Sequence, residues 1–396
     1  MMSGPLAGVR VLDLSGMISG PLGAMILADQ GADVIKVESP AGDSSRQVAT
    51  RRGNFSASFL NNNRNKRSVV LDLKTEDGRS ALLALVDGAD VLLQNFRPGV
   101  SERLGIDYPT LAARNARLIY ASITGFGTAG PYAHKPVFDP LVQALSGLTT
   151  VQAGGDDARP SLVRTIVPDK LTGFTVAQAI CAALYQRERT GHGTSIDLSM
   201  LATVVYFLWS SDMGGHTFVG DELEHETAQS FIDLIFDTAD GYISVAAFRR
   251  IDFEKLADAV GQPAWKDDPR FLTTAGLEEH KNARLAMTQD TLRTRTTAAW
   301  IEILDAHDVP HAPVLTRSEM LQHPQITANH LLVKTAHPQA GPLRQARAPA
   351  TFAGTPQAPP RGGPIHGADT RSVLREAGLT DADIDDLLAS GAAHGE

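Results

Sequence analysis

The apolar residues at the start of the chain fall into short unbroken runs, separated by stretches in which they recur every three or four positions. The run Val9–Leu14 predicts a buried strand, and Pro21–Gly31, after a turn at Gly16–Gly20, predicts a helix with one buried face. The run Ala32–Glu38 predicts a second strand. A strand, a helix and a strand in this order form a βαβ unit, which implies parallel strands joined by a right-handed crossover.

The same alternation continues beyond this first unit. Further strands are predicted at Ser68–Leu73, Asp90–Gln94 and Arg117–Thr124, and helices at Glu76–Val86 and Leu111–Asn115. Regular alternation of strands and helices favours an α/β protein with an open, mostly parallel, doubly wound sheet.

A long apolar helix is predicted in the middle of the chain, directly after Pro168 and Asp169. Val176 and Ile180 recur there at helical spacing, and a strand at Ser195–Met200 follows. Asp169 is expected at or beside the N-cap, where helix amide groups and the macrodipole favour a charged carboxylate. Taken alone, an acid at such a position indicates helix capping.

The second half of the chain predicts a smaller α+β region. Runs at Phe231–Thr238 and Tyr242–Phe248 flank Asp240 and Gly241, a turn pair typical of a two-stranded hairpin. Helices of this region are predicted near Phe253–Val260, His280–Thr291 and Thr296–His307, and two short terminal helices at Arg371–Ala377 and Thr380–Leu388 lie beyond it. The stretch Pro338–Pro364, rich in Pro, Gly and Ala, predicts a long connection along the surface.

Composition and charge restrict the class of protein. The chain has 396 residues, 43% of them hydrophobic, and a net charge of −9, which argues against nucleic acid as a partner. No run is long and apolar enough to span a membrane, and the N-terminus lacks an export signal, so we expect a cytoplasmic protein without a membrane partner. The single cysteine, Cys181, excludes an intramolecular disulfide.

A dinucleotide-binding protein is one alternative that the fold class suggests. Gly125–Gly130 matches the pattern G-x-G-x-x-G after a strand, and Glu38 ends the second strand, where a ribose-binding acid would lie. However, Pro131 and Pro136 follow these glycines, so no dinucleotide-binding helix begins there. The turn Gly16–Gly20 has the wrong glycine spacing as well, and we therefore disfavour a nicotinamide cofactor.

Five segments together carry a resemblance to a known family. They are V-L-D-L-S-G-M-I-S-G-P from Val11, G-A-D-V-I-K-V-E-S-P from Gly31, N-K-R-S-V-V-L-D-L-K from Asn65, N-F-R-P-G-V-S-E-R-L-G from Asn95 and V-P-D-K-L-T-G from Val167. Each is weak alone, but in this order and spacing the chain resembles the class III CoA-transferases, from Leu6 almost to Leu388. This family includes formyl-CoA:oxalate and carnitine CoA-transferases and α-methylacyl-CoA racemase.

The resemblance implies an enzyme that moves CoA from an acyl-CoA thioester, such as succinyl-CoA, to a small carboxylic acid. It implies that Asp169 is the nucleophile that carries the acyl group and then CoA, a role that suits an ionised carboxylate because only the anion attacks a thioester. Backbone amides near Ile18, Ser19 and Gly20 are our candidates for holding the developing oxyanion. The reaction needs no metal and no permanently bound cofactor, since CoA and acyl-CoA are substrates.

Cations near the ends of parallel strands are the candidates for holding the phosphates of CoA. Ligands bind beyond the carboxyl ends of such strands, and arginine suits bidentate phosphate contact. The candidates, in part by analogy with the family, are Lys74, Arg97, Pro98, Arg103 and Lys135. Arg64 and Lys66 are interpreted as solvated surface charges.

The resemblance also implies the domain organisation. Residues 1–215 and 331–396 would form a large Rossmann-like CoA-binding domain, and residues 216–330 a small α+β domain with its linkers. Two subunits would thread through each other as interlocked rings in a homodimer. In the small domain His225, Gln229 and Arg249 are candidates for substrate contact, and equally for plain surface residues.

Two other functions stay open within the same fold. A racemase or epimerase of the family carries His-Asp where this chain has Phe138 and Asp139, because racemisation needs groups that take and return a proton. Phe138 cannot do so, which favours the transferase, and Asp139 is expected to be a helix cap before Val142. A non-catalytic CoA-binding paralogue is the other alternative, and the presence of Asp169 argues against it.

Overall fold

The chain folds as two compact units of unequal size. The computed structural model describes residues 4–48, 50–220, 234–355 and 360–395. One unit consists of Met1–Glu226 and His330–Glu396, and the other of Thr227–Asn329. The first unit is therefore discontinuous along the sequence, and the second is an insertion within it.

A seven-stranded sheet organises the first unit. Its strands are β1 (Arg10–Asp13), β2 (Asp33–Glu38), β5 (Arg67–Leu71), β6 (Val91–Gln94), β7 (Ile119–Thr124), β8 (Ser195–Ser199) and β14 (Ala393–His394). They lie in the order β14-β5-β2-β1-β6-β7-β8, and all neighbours pair in parallel except β14, which is antiparallel to β5. The prediction of an α/β protein with a mostly parallel sheet is confirmed.

Helices cover both faces of this sheet. They are α1 (Ser19–Asp29), α2 (Ala57–Asn62), α3 (Glu76–Asp87), α4 (Val100–Leu104), α5 (Tyr108–Arg114), α6 (Asp139–Leu145), α7 (Leu148–Ala153), α8 (Val167–Thr190), α9 (Met200–Trp209), α10 (Gly214–Thr217), α17 (Thr370–Glu376) and α18 (Asp381–Ala389). Successive strand residues point to opposite faces. Val11 therefore belongs to the core that includes Ile180 of α8. Its neighbour Leu12 belongs to the other core, with Leu85 of α3.

Two short antiparallel hairpins also belong to the first unit. The pairs are β3 (Arg51–Arg52) with β4 (Phe55–Ser56), and β12 (Leu332–His337) with β13 (Gly341–Ala346). The prediction of a bare connection over Pro338–Pro364 is wrong in its first part, because β13 pairs along its whole length with β12. The sequence pattern also misses β14, since two residues are too few to show an alternation.

The second unit has its own small sheet and core. The strands β9 (Ile235–Asp237), β10 (Tyr242–Val245) and β11 (His311–Pro313) pair antiparallel in the order β11-β10-β9. Its described helices are α11 (Arg250–Ala259), α12 (Thr274–Glu279), α13 (Lys281–Leu292), α14 (Thr297–Ala306), α15 (Arg317–Met320) and α16 (Pro324–Ala328). The predicted hairpin around Asp240 and Gly241 is confirmed in its described part, and residues 231–233 lie outside the described residues.

The helices α1 and α8 cross at two glycines. A Cβ atom on Gly23 would lie 2.4 Å from Val176 Cγ1 and 3.1 Å from the carbonyl oxygen of Gly173. A Cβ atom on Gly173 would lie 2.9 Å from the side chain of Leu22. Only glycine leaves room for this approach, which brings the beginnings of the two helices close to each other.

We expect Gly23→Ala to destabilise the protein by about 1–3 kcal/mol, because the new methyl group overlaps Val176 in a packed interior. Adding Val176→Ala removes the overlapping Cγ1 atom, so the double variant should lose less stability than the sum of the two single variants. Chemical denaturation gives the free energies of unfolding. Gly88→Ala is the matched control, because no atom lies within 4 Å of the added Cβ. Strictly additive losses would contradict the close crossing.

Candidate active site

Asp169 lies in the first turn of α8. Ile166 is the N-cap residue, and Pro168 and Asp169 are the second and third residues of the helix. Proline suits this turn because the N–H that it lacks would have no intrahelical partner there. Sequence reasoning expects Asp169 at or beside the N-cap. The structure places it three residues after the N-cap, still in the first turn, where backbone N–H groups have no partner within the helix.

Ser19, the first residue of α1, faces the carboxylate of Asp169. Both the backbone N–H and the hydroxyl of Ser19 interact with this carboxylate and lower its pKa. Ser19 is only 4% exposed, so these donors are shielded from water. Ile18 is the N-cap of α1 and Gly20 its second residue, so the three predicted oxyanion donors form the start of one helix. Among the described residues, Ser19 is the one of these three that bonds to the Asp169 carboxylate.

The carboxyl group of Asp169 is harder to ionise than that of an ordinary aspartate. Burial and the nearby Asp139 raise its pKa from 3.8 to about 6, and the hydrogen bonds from Ser19 offset this only in part. Desolvation and the like charge of Asp139 therefore outweigh the groups that favour the charged form. At pH 7 the charged form still predominates by roughly ten to one.

Asp139 is the second carboxylate of the site. It is 4% exposed and is the first residue of α6. Its Oδ2 accepts the N–H of Asp169 at 3.3 Å, and its Oδ1 accepts from Gln143 Nε2 at 2.6 Å. The prediction that Asp139 caps its own helix is wrong, because no side-chain cap forms on α6 and the carboxylate binds the first turn of α8. Burial raises the pKa of Asp139.

A cavity of about 640 Å³ lies at the carboxyl ends of β1, β2, β5 and β6. Residues that follow these strands form its walls, among them Gly16, Ser39, Leu73 and Asn95. From β1 the strand order proceeds one way to β2 and β5 and the other way to β6 and β7, and ligands of doubly wound sheets bind at such a switch point. The volume lies within the range of small-ligand pockets, roughly 300–1,000 Å³.

The predicted CoA contacts divide into two groups with respect to this cavity. Lys74 and Arg103 belong to its lining. Arg97 and Pro98 follow β6 but are not among the lining residues, and neither is Lys135. The ammonium group of Lys135 lies 3.4 Å from the centre of a neighbouring tyrosine ring. The four cations are exposed and can therefore reach an anionic ligand.

The interpretation of Arg64 and Lys66 as solvated charges is wrong. Lys66 and Asp13 form an ion pair at 2.8 Å with both side chains 0% exposed. Arg64 and Asp29 form another at 2.6 Å, with side chains 7% and 8% exposed. The charged run before β5 looks like a surface turn in the sequence, because its carboxylate partners lie far away along the chain.

Sequence reasoning also missed polar groups beneath the loop that precedes α1. Lys36 and Asp43 form an ion pair at 2.8 Å, with side chains 1% and 2% exposed. Asn95 accepts the N–H of Gly16 at 2.9 Å and donates to its carbonyl oxygen at 2.8 Å. The sequence did contain a signal for this ion pair, since Lys36 lies inside the apolar run of β2. A lysine buried in a strand needs a buried partner of opposite charge.

The remaining candidates lie outside this site or outside the described residues. Arg249, in the second unit, forms an ion pair with Asp252 at 2.7 Å, and its side chain is 72% exposed. His225 and Gln229 lie outside the described residues. In the described part of the chain, no group of three or more His, Cys, Asp or Glu residues could hold a metal ion. No helix of that part has the length and apolar character needed to cross a membrane.

We expect Asp169→Asn to raise the stability of the protein above about pH 6. Because the pKa in the folded state lies above 3.8, ionisation of Asp169 costs folding free energy as pH rises through this range, up to about 3 kcal/mol. The amide removes that cost but accepts weaker hydrogen bonds from Ser19, so the expected net gain is about 1–2 kcal/mol at pH 7.5 and none at pH 4. Thermal unfolding at both pH values measures it, with the exposed Asp197→Asn as control. A less stable Asp169→Asn variant at pH 7.5 would contradict the raised pKa.

Comparison with known sequences connects this site to one family. The model of CoA-transferase family III matches residues 6–370 of the chain. An acetyl-CoA:oxalate CoA-transferase of Acetobacter aceti is 37% identical over 340 residues, which are 84% of this chain and 86% of that protein. A succinate–glutarate CoA-transferase of Agrobacterium fabrum is 34% identical over 385 residues, which are 94% of this chain and 95% of that protein.

Solved structures agree with the sequence comparison. The Mycobacterium tuberculosis protein Rv3272 matches with a TM-score of 0.82 at 30% identity, over 94% of this chain and 99% of that chain. A CAIB/BAIF family protein from Brucella suis matches with a TM-score of 0.82 at 29% identity, over 95% of this chain and 100% of that chain. The resemblance seen in the sequence motifs is confirmed, and the chain belongs to CoA-transferase family III, as an enzyme of the acyl-CoA:carboxylate CoA-transferase class.

Proposed function

We propose that this enzyme transfers CoA from an acyl-CoA thioester to a small carboxylic acid through a covalent intermediate on Asp169. The observation that carries the proposal is the meeting of two helix starts, where the N–H and hydroxyl of Ser19 interact with the Asp169 carboxylate and lower its pKa. A carboxylate attacks a thioester only as the anion, and a pKa of about 6 leaves Asp169 mostly ionised at neutral pH.

The first half of the reaction loads CoA onto the enzyme. The Asp169 carboxylate attacks the thioester carbonyl carbon, the carbon–sulfur bond breaks, and a mixed anhydride and free CoA thiolate form. The thiolate then attacks the carbonyl carbon of Asp169. The donor acid leaves as its carboxylate, and Asp169 remains as a thioester of CoA.

The second half runs in the reverse sense with the acceptor acid. The acceptor carboxylate attacks the aspartyl thioester, and the thiolate leaves again as a second mixed anhydride forms. The thiolate attacks the acceptor carbonyl carbon, which gives the new acyl-CoA and restores the Asp169 carboxylate. Each bond that breaks is replaced by one of similar reactivity, so the cycle closes without an additional reactant.

The start of α1 is proposed to hold the negative charge that develops in each step. Every tetrahedral intermediate carries an oxyanion, and first-turn amides without intrahelical partners are suitable donors. Ile18, Ser19 and Gly20 supply such amides. Because Ser19 already bonds to the Asp169 carboxylate, its donors stay next to that carbon when the thiolate attacks it.

We propose the cavity at the strand ends as the site of the nucleotide part of CoA. Lys74 and Arg103 in its lining are suited to the phosphates, which bind cations by charge-assisted hydrogen bonds. Arg97, Pro98 and Lys135 are proposed as further contacts beyond the lining. The names of the relatives specify oxalate and glutarate, and we propose a small acid of this kind as acceptor and succinyl-CoA as a donor.

We also propose an interlocked homodimer. Apolar side chains are exposed on the first unit, including Leu141 of α6 at 49%, Phe174 of α8 at 54%, and Tyr206 and Trp209 of α9 at 85% and 49%. Exposed apolar groups on neighbouring helices indicate an interface, and a second copy would cover them. In this proposal residues 1–215 and 331–396 bind CoA, and residues 216–330 form the small domain.

The racemase alternative is disfavoured by the two residues that would carry it. Phe138 has no group that can take a proton, and its side chain is 65% exposed. The Asp139 carboxylate is already occupied by Gln143 and by the N–H of Asp169. A non-catalytic role is disfavoured by the donors that converge on Asp169.

Mass spectrometry after mixing the enzyme with a panel of acyl-CoA thioesters tests the covalent intermediate. We expect a CoA adduct on Asp169, its absence in Asp169→Asn, and a fall in kcat on the order of 10³-fold or more. The exposed Asp197→Asn should keep the adduct. Undiminished turnover of Asp169→Asn would refute the proposal, and exchange of α-deuterium without an acceptor acid would indicate the racemase instead.

The nucleotide site is tested by Lys74→Gln and Arg103→Gln. We expect the KM for acyl-CoA to rise about tenfold in each, with kcat within about twofold, because phosphate contacts far from the reacting carbonyl stabilise ground state and transition state equally. Steady-state kinetics gives both constants. Arg114→Gln, an exposed arginine outside the cavity lining, is the control. An unchanged KM in both variants would argue for another CoA site.

A further inference from the structure

A buried ion pair lies directly beneath the start of α1. The ammonium group of Lys66 is 2.8 Å from Asp13 Oδ2, and both side chains are 0% exposed. The same ammonium donates to the carbonyl oxygen of Pro21 and to Asn63 Oδ1, each at 2.8 Å. Its three N–H groups are therefore all used.

This pair holds the loop before α1 at both ends. Asp13 Oδ1 accepts the N–H of Ser15 at 3.0 Å and accepts the Ser15 hydroxyl as well. Pro21, which Lys66 holds, is the third residue of α1. The loop between these two anchors leads to Ser19, the residue that donates to Asp169.

The loop is strained and needs such contacts. Met17 has a φ of 66°, in the left-handed region that is unfavourable for a residue with a Cβ atom. Lys36 Nζ donates to the carbonyl oxygen of Ser15 at 2.8 Å, and Asp43 Oδ1 accepts the N–H of Met17 at 3.2 Å. Backbone conformations of this kind persist only where the surrounding structure holds them.

The two ion pairs beneath the loop, Lys36 with Asp43 and Lys66 with Asp13, differ in whether they line the cavity. Lys36 and Asp43 line the cavity at the strand ends, whereas Asp13 and Lys66 are not among its lining residues. A change at Asp13 and Lys66 therefore replaces no residue of the cavity lining. Its direct effects are on Ser15, which Asp13 holds, and on the start of α1.

We propose that Asp13 and Lys66 are positioning residues, which set the place of the Ser19 donors relative to Asp169 without contacting CoA. This inference rests on the proposed role of Asp169 as nucleophile. A misplacement of about 1 Å in a reacting group can lower turnover roughly a hundredfold, even when its cause is remote from the chemistry. The pair therefore acts on kcat and leaves the KM for acyl-CoA unchanged.

The protonation of Lys66 gives a second readout. Burial lowers the pKa of Lys66 to about 8, with Lys36 acting in the same direction and Asp13 and Asp43 opposing it. Among the described residues, these three charged groups have the largest effect on the pKa of Lys66. Above this pH the ammonium loses one of its three donors, so the start of α1 is held less firmly. We therefore expect the kcat of the wild-type enzyme to fall above about pH 8 while KM stays constant.

The test replaces both members of the pair, as Asp13→Asn with Lys66→Met. Removing both charges avoids the unpaired buried charge that either single substitution would leave. With folding verified by circular dichroism, we expect CoA adduct formation on Asp169 to slow by about 10–100-fold, an unchanged KM and no fall above pH 8. The matched control is Asp29→Asn with Arg64→Met, the buried pair at the other end of α1, which should keep the wild-type rate.

Three outcomes would overturn the inference. They are a wild-type rate in the folded Asp13→Asn, Lys66→Met variant, an equal loss of rate in the control pair, and a wild-type kcat that does not fall above pH 8. The third is measured on the unmodified enzyme and decides the matter even where the variant does not fold. Absence of the Asp169 adduct in the wild-type enzyme would overturn the proposed function itself, and the inference with it.

Discussion

The close crossing of α1 and α8 is the contact on which the site depends. Gly23 and Gly173 leave no side chain between the two helices, so Ser19 at the start of one reaches Asp169 at the start of the other. The first-turn N–H of Ser19, which has no intrahelical partner, then acts on the Asp169 carboxylate, while the N–H of Asp169 itself donates to Asp139. Without this crossing, Asp169 would be a solvated first-turn acid, and helix capping would be a sufficient account of it.

The same arrangement opposes stability at several points. Asp139 and Asp169 carry like charges, Met17 is held in a left-handed conformation, and a lysine is buried beneath it. Each feature is unfavourable taken alone and persists because surrounding hydrogen bonds and ion pairs hold it in place. Perturbed carboxylates and strained backbone are common where a site must react, and here they lie in one segment of the first unit.

One short loop contributes to both the cavity and the surroundings of Asp169. Ser15 and Gly16 face the cavity at the strand ends, and a few residues later Ser19 faces Asp169. The loop follows β1, beside the switch point of the sheet, where residues from neighbouring strand ends converge. The sheet topology thus explains why the cavity and the Asp169 carboxylate share the same stretch of backbone.

The sequence by itself determined the parallel sheet, its crossover helices and the position of Asp169 at a helix start, because these depend on patterns among neighbours along the chain. It could not show β14 or the pairing of β13, whose partner strands lie elsewhere in the sequence. Only the tertiary structure decided that Lys66 is buried against Asp13 and that Asp169 ionises near pH 6. Burial and charge pairing depend on neighbours in space, and the residues that provide them here are separated from Lys66 and Asp169 by one or more elements of the fold.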